Sequence, residues 1–273
     1  MYVWSVAGCV RGTDMNEPVT LLNSSVRADR LAGERVSTFD RNVASLLEHI
    51  EYRRCDSGED MEDIYRLRYK AYRAHGLVDD LRDMSMRDQL DDAPNCYRFG
   101  AFLDDELIST VRLHHVSQAE PFSPSMTVFG DLLEPKLRRG ETFIDPGRLA
   151  VDPDLGSSIR VMPYITLRLA VVANSFFKTT SCICMIREEH QAFYRRIFNS
   201  EQVAAPRPYS SVNVMAILYE SNCAKNLENI YARYPFFRAA PLEQRLLFAK
   251  PSMGELAPLT ILPSSRYAMR AAA

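Results

Sequence analysis

The stretch from Thr142 to Phe177 limits what this chain can fold into more than any other. It opens with residues suited to a buried, pleated strand: Phe143, Ile144, Leu149, Ala150 and Val151. Pro146 and Gly147 fall inside that run, and a Pro-Gly pair within a strand marks a bulge or a splay where the backbone leaves its ladder. Asp152 to Gly156 then turns the chain into a helix with Ser157 or Ser158 as the expected N-cap. Val161, Ile165, Leu169 and Val172 form its apolar stripe, and the helix runs to about Phe177. Backbone groups freed at a splay can pair with an extended polar arm such as pantetheine. The helix N-terminus behind it attracts phosphate.

The rest of the chain is read around that unit. With 273 residues, 47% of them hydrophobic, it can bury one sizeable core or a core with appendages. A formal net charge of -2 gives no pull toward nucleic acid or an anionic membrane, and no apolar run reaches the length of a bilayer span. Val6-Ala7-Gly8-Cys9 has the look of a lipoprotein cleavage box but lacks the basic stretch a signal peptide needs. The chain therefore reads as cytoplasmic. Its six cysteines, Cys9, Cys55, Cys96, Cys182, Cys184 and Cys223, have no zinc spacing and read as reduced thiols. His114-His115, at a strand end, reads as surface rather than metal site, and no metal is expected.

In chain order, residues 1–37 show no sustained period and are expected to form a poorly ordered arm. A helix around Phe39 to Ile50 and a short strand from Glu51 to Cys55 come next. Ser57 caps a helix that carries Ile64, Leu67, Arg68, Ala71 and Tyr72 and ends at His75-Gly76. Residues 77–95 make a polar, acidic loop of the length that covers sites. Tyr97–Leu103 and Leu107–His115 form a hairpin turned by Asp104-Asp105, and Thr127–Leu133 a short helix. After the central unit come a buried strand (Ser181–Ile186), a helix (His190–Phe198), a strand (Val212–Tyr219) and a helix (Asn222–Tyr234). This is a mixed α/β domain over residues 38–235, with a wrapped or partly loose C-terminal extension at 236–273.

That order of elements resembles the GNAT acyltransferases, whose acyl-CoA N-acyltransferase fold has a mixed sheet splayed between its fourth and fifth strands. Ala192-Phe193-Tyr194-Arg195-Arg196-Ile197-Phe198 is similar to the family's penultimate helix. A closer likeness is to N-acyl amino acid synthases and acyl-homoserine-lactone (autoinducer) synthases, over roughly residues 50–220. Arg66-Leu67-Arg68-Tyr69-Lys70-Ala71-Tyr72 is similar to their first helix, and Arg87-Asp88-Gln89-Leu90-Asp91-Asp92 to their acidic loop. Thr110-Val111-Arg112-Leu113 matches the Arg-Leu of their third strand. Asp145-Pro146-Gly147-Arg148-Leu149-Ala150-Val151 lies where the lactone synthases carry Glu-x-Ser/Thr-Arg-x-Ala-Val. Asp145 for Glu, Gly147 for Ser/Thr and Met86 for an acidic residue are departures from lactone synthesis. The Gly-x-Gly phosphate loop of coenzyme A enzymes is also missing.

The resemblance implies an acyltransferase moving a medium or long acyl chain from a carrier-protein or coenzyme A thioester to an amino-acid amine. The alternatives are an S-adenosylmethionine-using lactone synthase and a non-catalytic acyl-binding module. No tightly bound cofactor is implied. Acyl carrier protein is the expected partner, docking to Arg138, Arg139, Arg160, Lys178, Arg195 and Arg196. Gly147 or Arg148 would offer the oxyanion a backbone amide, with Glu141 or Asp145 as the base and Tyr194 protonating the thiolate. Asp145 would equally serve as a structural partner of Arg148. Arg68, Arg112 and Arg148 can fork a substrate carboxylate or pair with Asp88, Asp91 and Asp145. Tyr72 belongs to the same substrate wall. Leu103, Phe176, Phe177 and the strand through Cys184 are candidates for an acyl pocket, with Val151, Ser157, Ser158 and Arg160 for pantetheine and phosphate.

Overall fold

A computed structural model describes residues 37–155, 161–250 and 260–265. Their elements are α1 (Thr38–Leu47), β1 (Ile50–Arg54), α2 (Gly58–Ala74), β2 (Cys96–Leu103), β3 (Glu106–Val116), α3 (Pro124–Arg138), β4 (Phe143–Val151) and α4 (Met162–Phe177). They continue with β5 (Ser181–Ile186), α5 (Gln191–Phe198), β6 (Glu201–Gln202), β7 (Arg207–Tyr209), β8 (Val214–Asn222), α6 (Cys223–Arg233) and α7 (Pro241–Phe248). The strands form one mixed sheet in the order β1-β2-β3-β4-β5-β8-β6, with β7 also on β8. Only β4 and β5 run parallel; the other neighbours are antiparallel. The Asp104-Asp105 turn closes the β2–β3 hairpin with both residues at positive φ, 50° and 65°, which matches the strands' twist.

The expected splay is present. β4 pairs with β5 only at Phe143↔Ser181 and Ile144↔Cys182, and the two strands part from Asp145 onward. The bulge against β3 falls one step later than the Pro-Gly pair suggests. Pro146 and Gly147 stay in register with Leu113 and Arg112, and the slip lies between Gly147 and Ala150, opposite Val111. Arg148 takes up the extra residue, at φ 50°. Strict alternation would have turned Arg148 toward α4. The bulge instead sends it toward α2 and returns Leu149 to the α4 side.

The two faces of the sheet are covered unequally. On one, α2 and α3 meet Phe143, Ala150, Ile183, Met185 and Leu218. On the other, α1, α4, α5, α6 and α7 enclose the larger core. α4 is buried all round from Met162 to Asn174 rather than along a single stripe, because the chain after α6 lies across its outer side. Phe236, Phe237, Leu247 and Phe248 enter the same core as α4. Arg168 of α4 organises this contact. Its Nε donates to Phe236 O at 2.8 Å and its Nη2 to Arg238 O at 2.7 Å, while both Nη groups hold the Glu243 carboxylate. Ser264 donates its N–H and hydroxyl to Glu243 Oε2 at 2.9 and 2.6 Å, and Tyr52 and Ile261 exchange backbone hydrogen bonds at 2.9 Å along the outer edge of β1.

Three further details depart from the sequence reading. α3 is twice the expected length because Ser123 caps it on Met126 N and Pro124 suits its first turn, while Pro135 is accommodated within it. α4 begins at Met162 with Val161 at its N-cap; Ser157, Ser158 and Arg160 lie outside the described residues. His114 is interior rather than surface, since β3 continues to Val116 and its ring Nε2 meets Leu90 O at 3.0 Å. Burial lowers the His114 pKa to about 3, so the ring is neutral near pH 7.

The Arg168–Glu243 pair gives a direct test. Glu243→Ala leaves a buried guanidinium uncompensated and should cost about 3–5 kcal/mol, whereas Arg168→Met with Glu243→Leu should recover much of it. Urea denaturation of both proteins checks this; equal midpoints for Glu243→Ala and the parent would show that the pair does not hold the segment.

Candidate active site

The side chains singled out from the sequence gather on the α2 face of the split. Asp88 caps the single 3-10 turn Gln89–Asp92. Its carboxylate accepts from Leu90 N at 3.0 Å, and Asp91 returns the bond by accepting from Asp88 N at 3.0 Å. The same two carboxylates face three arginines. Arg68 Nη1 donates to Asp91 at 2.7 Å, Arg112 Nη1 lies 2.6 Å from Asp88 and 3.1 Å from Asp91, and Arg148 reaches Asp88 Oδ2 through Nε at 3.1 Å and Nη2 at 2.5 Å. α2 supplies Arg68, β3 Arg112 and the β4 bulge Arg148, so three separate elements are tied to one loop.

All three guanidiniums are nearly or fully buried. Burial pushes the Asp88 carboxyl up, but Arg112 and Arg148 pull it further down, and it ends well below the usual carboxylate range. Three cations against two anions leave one positive charge in the cluster. Tyr72 adds an aromatic wall, its ring centroid 5.7 Å from the Arg148 guanidinium carbon; burial raises its phenol pKa to about 12. Met86 Sδ stands 3.9 Å from Arg148 Nη1.

Asp145 is not a partner of Arg148. It lies just before the bulge and accepts from Ser125 N at 2.9 Å, near the start of α3. Burial raises its pKa, and the bonds from Ser123 and Ser125 offset only part of that. Glu141 is not brought to the group. It precedes β4 and pairs with Arg139 at 2.7 Å, about 20 Å of extended strand away from Gly147.

The other face of the split opens on a cavity with about 490 Å³ of empty space, its walls almost wholly apolar. Pro146, Leu167, Ala170, Val171, Cys182, Cys184, Tyr194, Phe198, Leu227 and Ile230 are among its lining residues. Burial drives the Cys182 and Cys184 thiols up, so they stay protonated and act as small, soft walls. Tyr194 is 2% exposed and lines this cavity beside the split. Phe176 does not line it. Its ring packs on Phe177 and Phe248, with centroids 4.8 and 5.8 Å away, because the C-terminal segment covers that end of α4. Leu103 and Phe177 likewise belong to the core packing, and Val151 ends β4 as a half-buried residue beyond the split.

Tyr209 and His190 escaped the sequence reading as site residues. Tyr209 lies close enough to Arg148 and Tyr72 to affect both electrostatically, but it comes from the three-residue β7, too short for a periodic signal. His190, 3% exposed at the N-cap of α5, is pushed by burial to about 4, with His75 from the end of α2 adding in the same direction. The capping box was legible as Asp-x-x-Asp before an apolar turn.

A mixed sheet split at one parallel pair, with an apolar cavity on one side of the split and a cationic cluster on the other, defines the acyl-CoA N-acyltransferase fold. The protein is an acyltransferase. Residues 63–222, more than half of the chain, match the family described as N-acyl amino acid synthase FeeM, and the chain belongs to that family. The solved structure of FeeM, an N-acyl amino acid synthase from uncultured soil microbes, is similar with a TM-score of 0.58 at 16% identity, over 68% of this chain and 96% of that one. A coenzyme A-dependent acyl-homoserine lactone synthase, BjaI, is more distant at a TM-score of 0.43 and 15% identity, over 64% and 82%. An acyl-CoA N-acyltransferase from Pseudomonas aeruginosa matches at 0.43 and 15%, over 63% and 97%. No curated protein sequence matches the chain.

Asp88 and Arg148 carry two predictions. A carboxyl held low in the folded state stabilises fully above its ordinary value, about pH 4. That contribution is lost as pH falls from there through the depressed folded value. Asp88→Asn should therefore be less stable at neutral pH and show a flatter acid limb in urea midpoints; parallel limbs would remove Asp88 as the anchor. Because Arg148 sits at φ 50°, Arg148→Gly should be more stable than Arg148→Ala by about 1–2 kcal/mol. Both should lose roughly a hundredfold in acyl transfer through misplacement of the site. Near-normal turnover in a folded Arg148→Gly protein would refute the role.

Proposed function

We propose that the protein transfers a medium or long fatty acyl group from a carrier-protein or coenzyme A thioester to the amine of an amino acid. The observation that carries this reading is the pairing of two unlike environments across one split. The apolar cavity suits the hydrocarbon chain, and the cluster with one uncompensated positive charge suits the acceptor's carboxylate. A thioether, not a carboxylate, faces Arg148 at Met86, which favours an amino acid over a sulfonium-bearing acceptor.

In this reading the thioester carbonyl lies between the parted strands, where a backbone amide at Gly147 or Arg148 stabilises the developing oxyanion. The amine attacks the carbonyl carbon, a carbon–nitrogen bond forms and the carbon–sulfur bond breaks. Asp145, whose raised pKa makes it a better base than an exposed carboxylate, takes the amine proton directly or through water. Tyr194, on the cavity side, returns a proton to the thiolate. Arg148 fixes the bulge and, with Arg68 and Arg112, the carboxylate end of the acceptor.

The donor is read as a carrier-protein thioester. Arg196 and Arg233 both lie close to Tyr164 in the first turn of α4, beside the open end of the split, where an acidic carrier would dock. Arg138 and Arg139 contribute less than the sequence suggested, since Glu134 and Glu141 pair with them. Purified protein incubated with acyl-carrier thioesters and pooled amino acids should release free thiol and yield an N-acyl amino acid by mass. Transfer from the carrier should exceed that from the matching coenzyme A thioester and weaken with salt, as surface attractions are screened over about 8 Å at physiological ionic strength. Equal, salt-independent use of both donors would remove the carrier from this reading, and release of no thiol from either would remove the reading itself.

A further inference from the structure

The cavity runs along α4 away from the split. Pro146, Tyr194 and Leu167 line its near part. Its far part lies toward the first residues of β5, because Cys182 pairs with Ser221 there and both line it. The end is built from Asn174 in the last turn of α4 and Cys223, the first residue of α6. Cys223 Sγ donates to Asn174 Oδ1 at 3.3 Å, and Thr179 Oγ1 donates to the same oxygen at 2.6 Å. Asn174 Nδ2 donates to Ala170 O at 2.8 Å. The amide's donor and acceptor are thus both engaged, and it has little to offer a polar chain end.

From Cys223 the lining continues along one face of α6 through Leu227 and Ile230, at spacings of four and three residues. This helix follows the residues that match the family, 63–222. The near part of the cavity is therefore built from the shared part of the chain, and its end and one side wall from what comes after.

We propose that α6 sets the length of the acyl chain: Cys223 stops its terminal methyl, and Leu227 and Ile230 gauge the last methylenes. This rests on the reading of the cavity as the acyl site. The chemistry is that of fit. A methylene that finds room adds about fourfold in affinity, and one that meets a filled wall forfeits that gain and adds strain. The positions belong to a helix that touches neither the split nor the cationic cluster through its cavity face, so they adjust length without altering the reacting groups.

The test is the turnover of straight-chain acyl-pantetheine thioesters of graded length, with melting curves for each protein. Cys223→Leu should shift the preferred chain shorter by about one or two methylenes, with the ratio of long-chain to short-chain rates falling about fourfold for each methylene excluded. Leu227→Ala should shift it longer. Should Cys223→Leu fail to fold, Leu227→Ala and the milder Ile230→Val carry the test in the opposite direction. Folded variants with the parent's length profile would overturn the proposal while leaving acyl transfer standing. A parent protein that turns over no thioester of any length would instead overturn the acyl-site reading, and the length proposal with it.

Discussion

Asp88 holds together parts of the chain that have little else in common. One carboxylate caps a short turn and, at the same time, takes hydrogen bonds from guanidiniums on β3 and on the β4 bulge. The loop that carries it is polar and has few apolar side chains to bury, so charge does for it what packing does for the helices. The arrangement is costly to disturb from either side. Removing Asp88 strands two buried cations, and removing Arg148 releases a left-handed residue from the interaction that offsets its strain. The bulge, the loop and the first helix are consequently one unit.

The sheet separates two kinds of chemistry at the point where its only parallel pair opens. Every ladder hydrogen bond lost beyond Ile144 is a polar backbone group left facing the gap rather than a neighbouring strand. The side chains of β4 then alternate across that gap. Pro146 faces the hydrocarbon-lined cavity, while Arg148, sent across by one extra residue, faces the charged cluster. A one-residue irregularity therefore decides which substrate component each side of the strand can meet.

Much of this was legible in the sequence. Alternating apolar residues marked the strands, Asp-Asp the hairpin turn, and Pro-Gly the strand that parts from its neighbour. The pairing of Arg68, Arg112 and Arg148 with Asp88 and Asp91 was also foreseeable from opposite charges on adjoining segments. What escaped were matters of three-dimensional covering. Nothing local says that Asp145 turns to Ser125 instead of Arg148, that β3 runs far enough to bury His114, or that Phe176 is sealed by Phe248 rather than facing a substrate. Each depends on a residue distant in sequence, and periodicity carries no information about which distant residue arrives.

The position of Arg168 also bears on how the chain is made. Its guanidinium lies in the middle of α4, yet its carboxylate partner is Glu243 and that carboxylate is in turn capped by Ser264. Until those residues have left the ribosome, α4 carries a cation on a side that must become dry, and the outer edge of β1 lacks Ile261. Synthesis from the N-terminus thus leaves the central sheet and its α4 layer in waiting for the last described part of the chain. A nascent protein stalled before residue 243 should present this half-covered helix to chaperones, whereas one extended past residue 264 can close it.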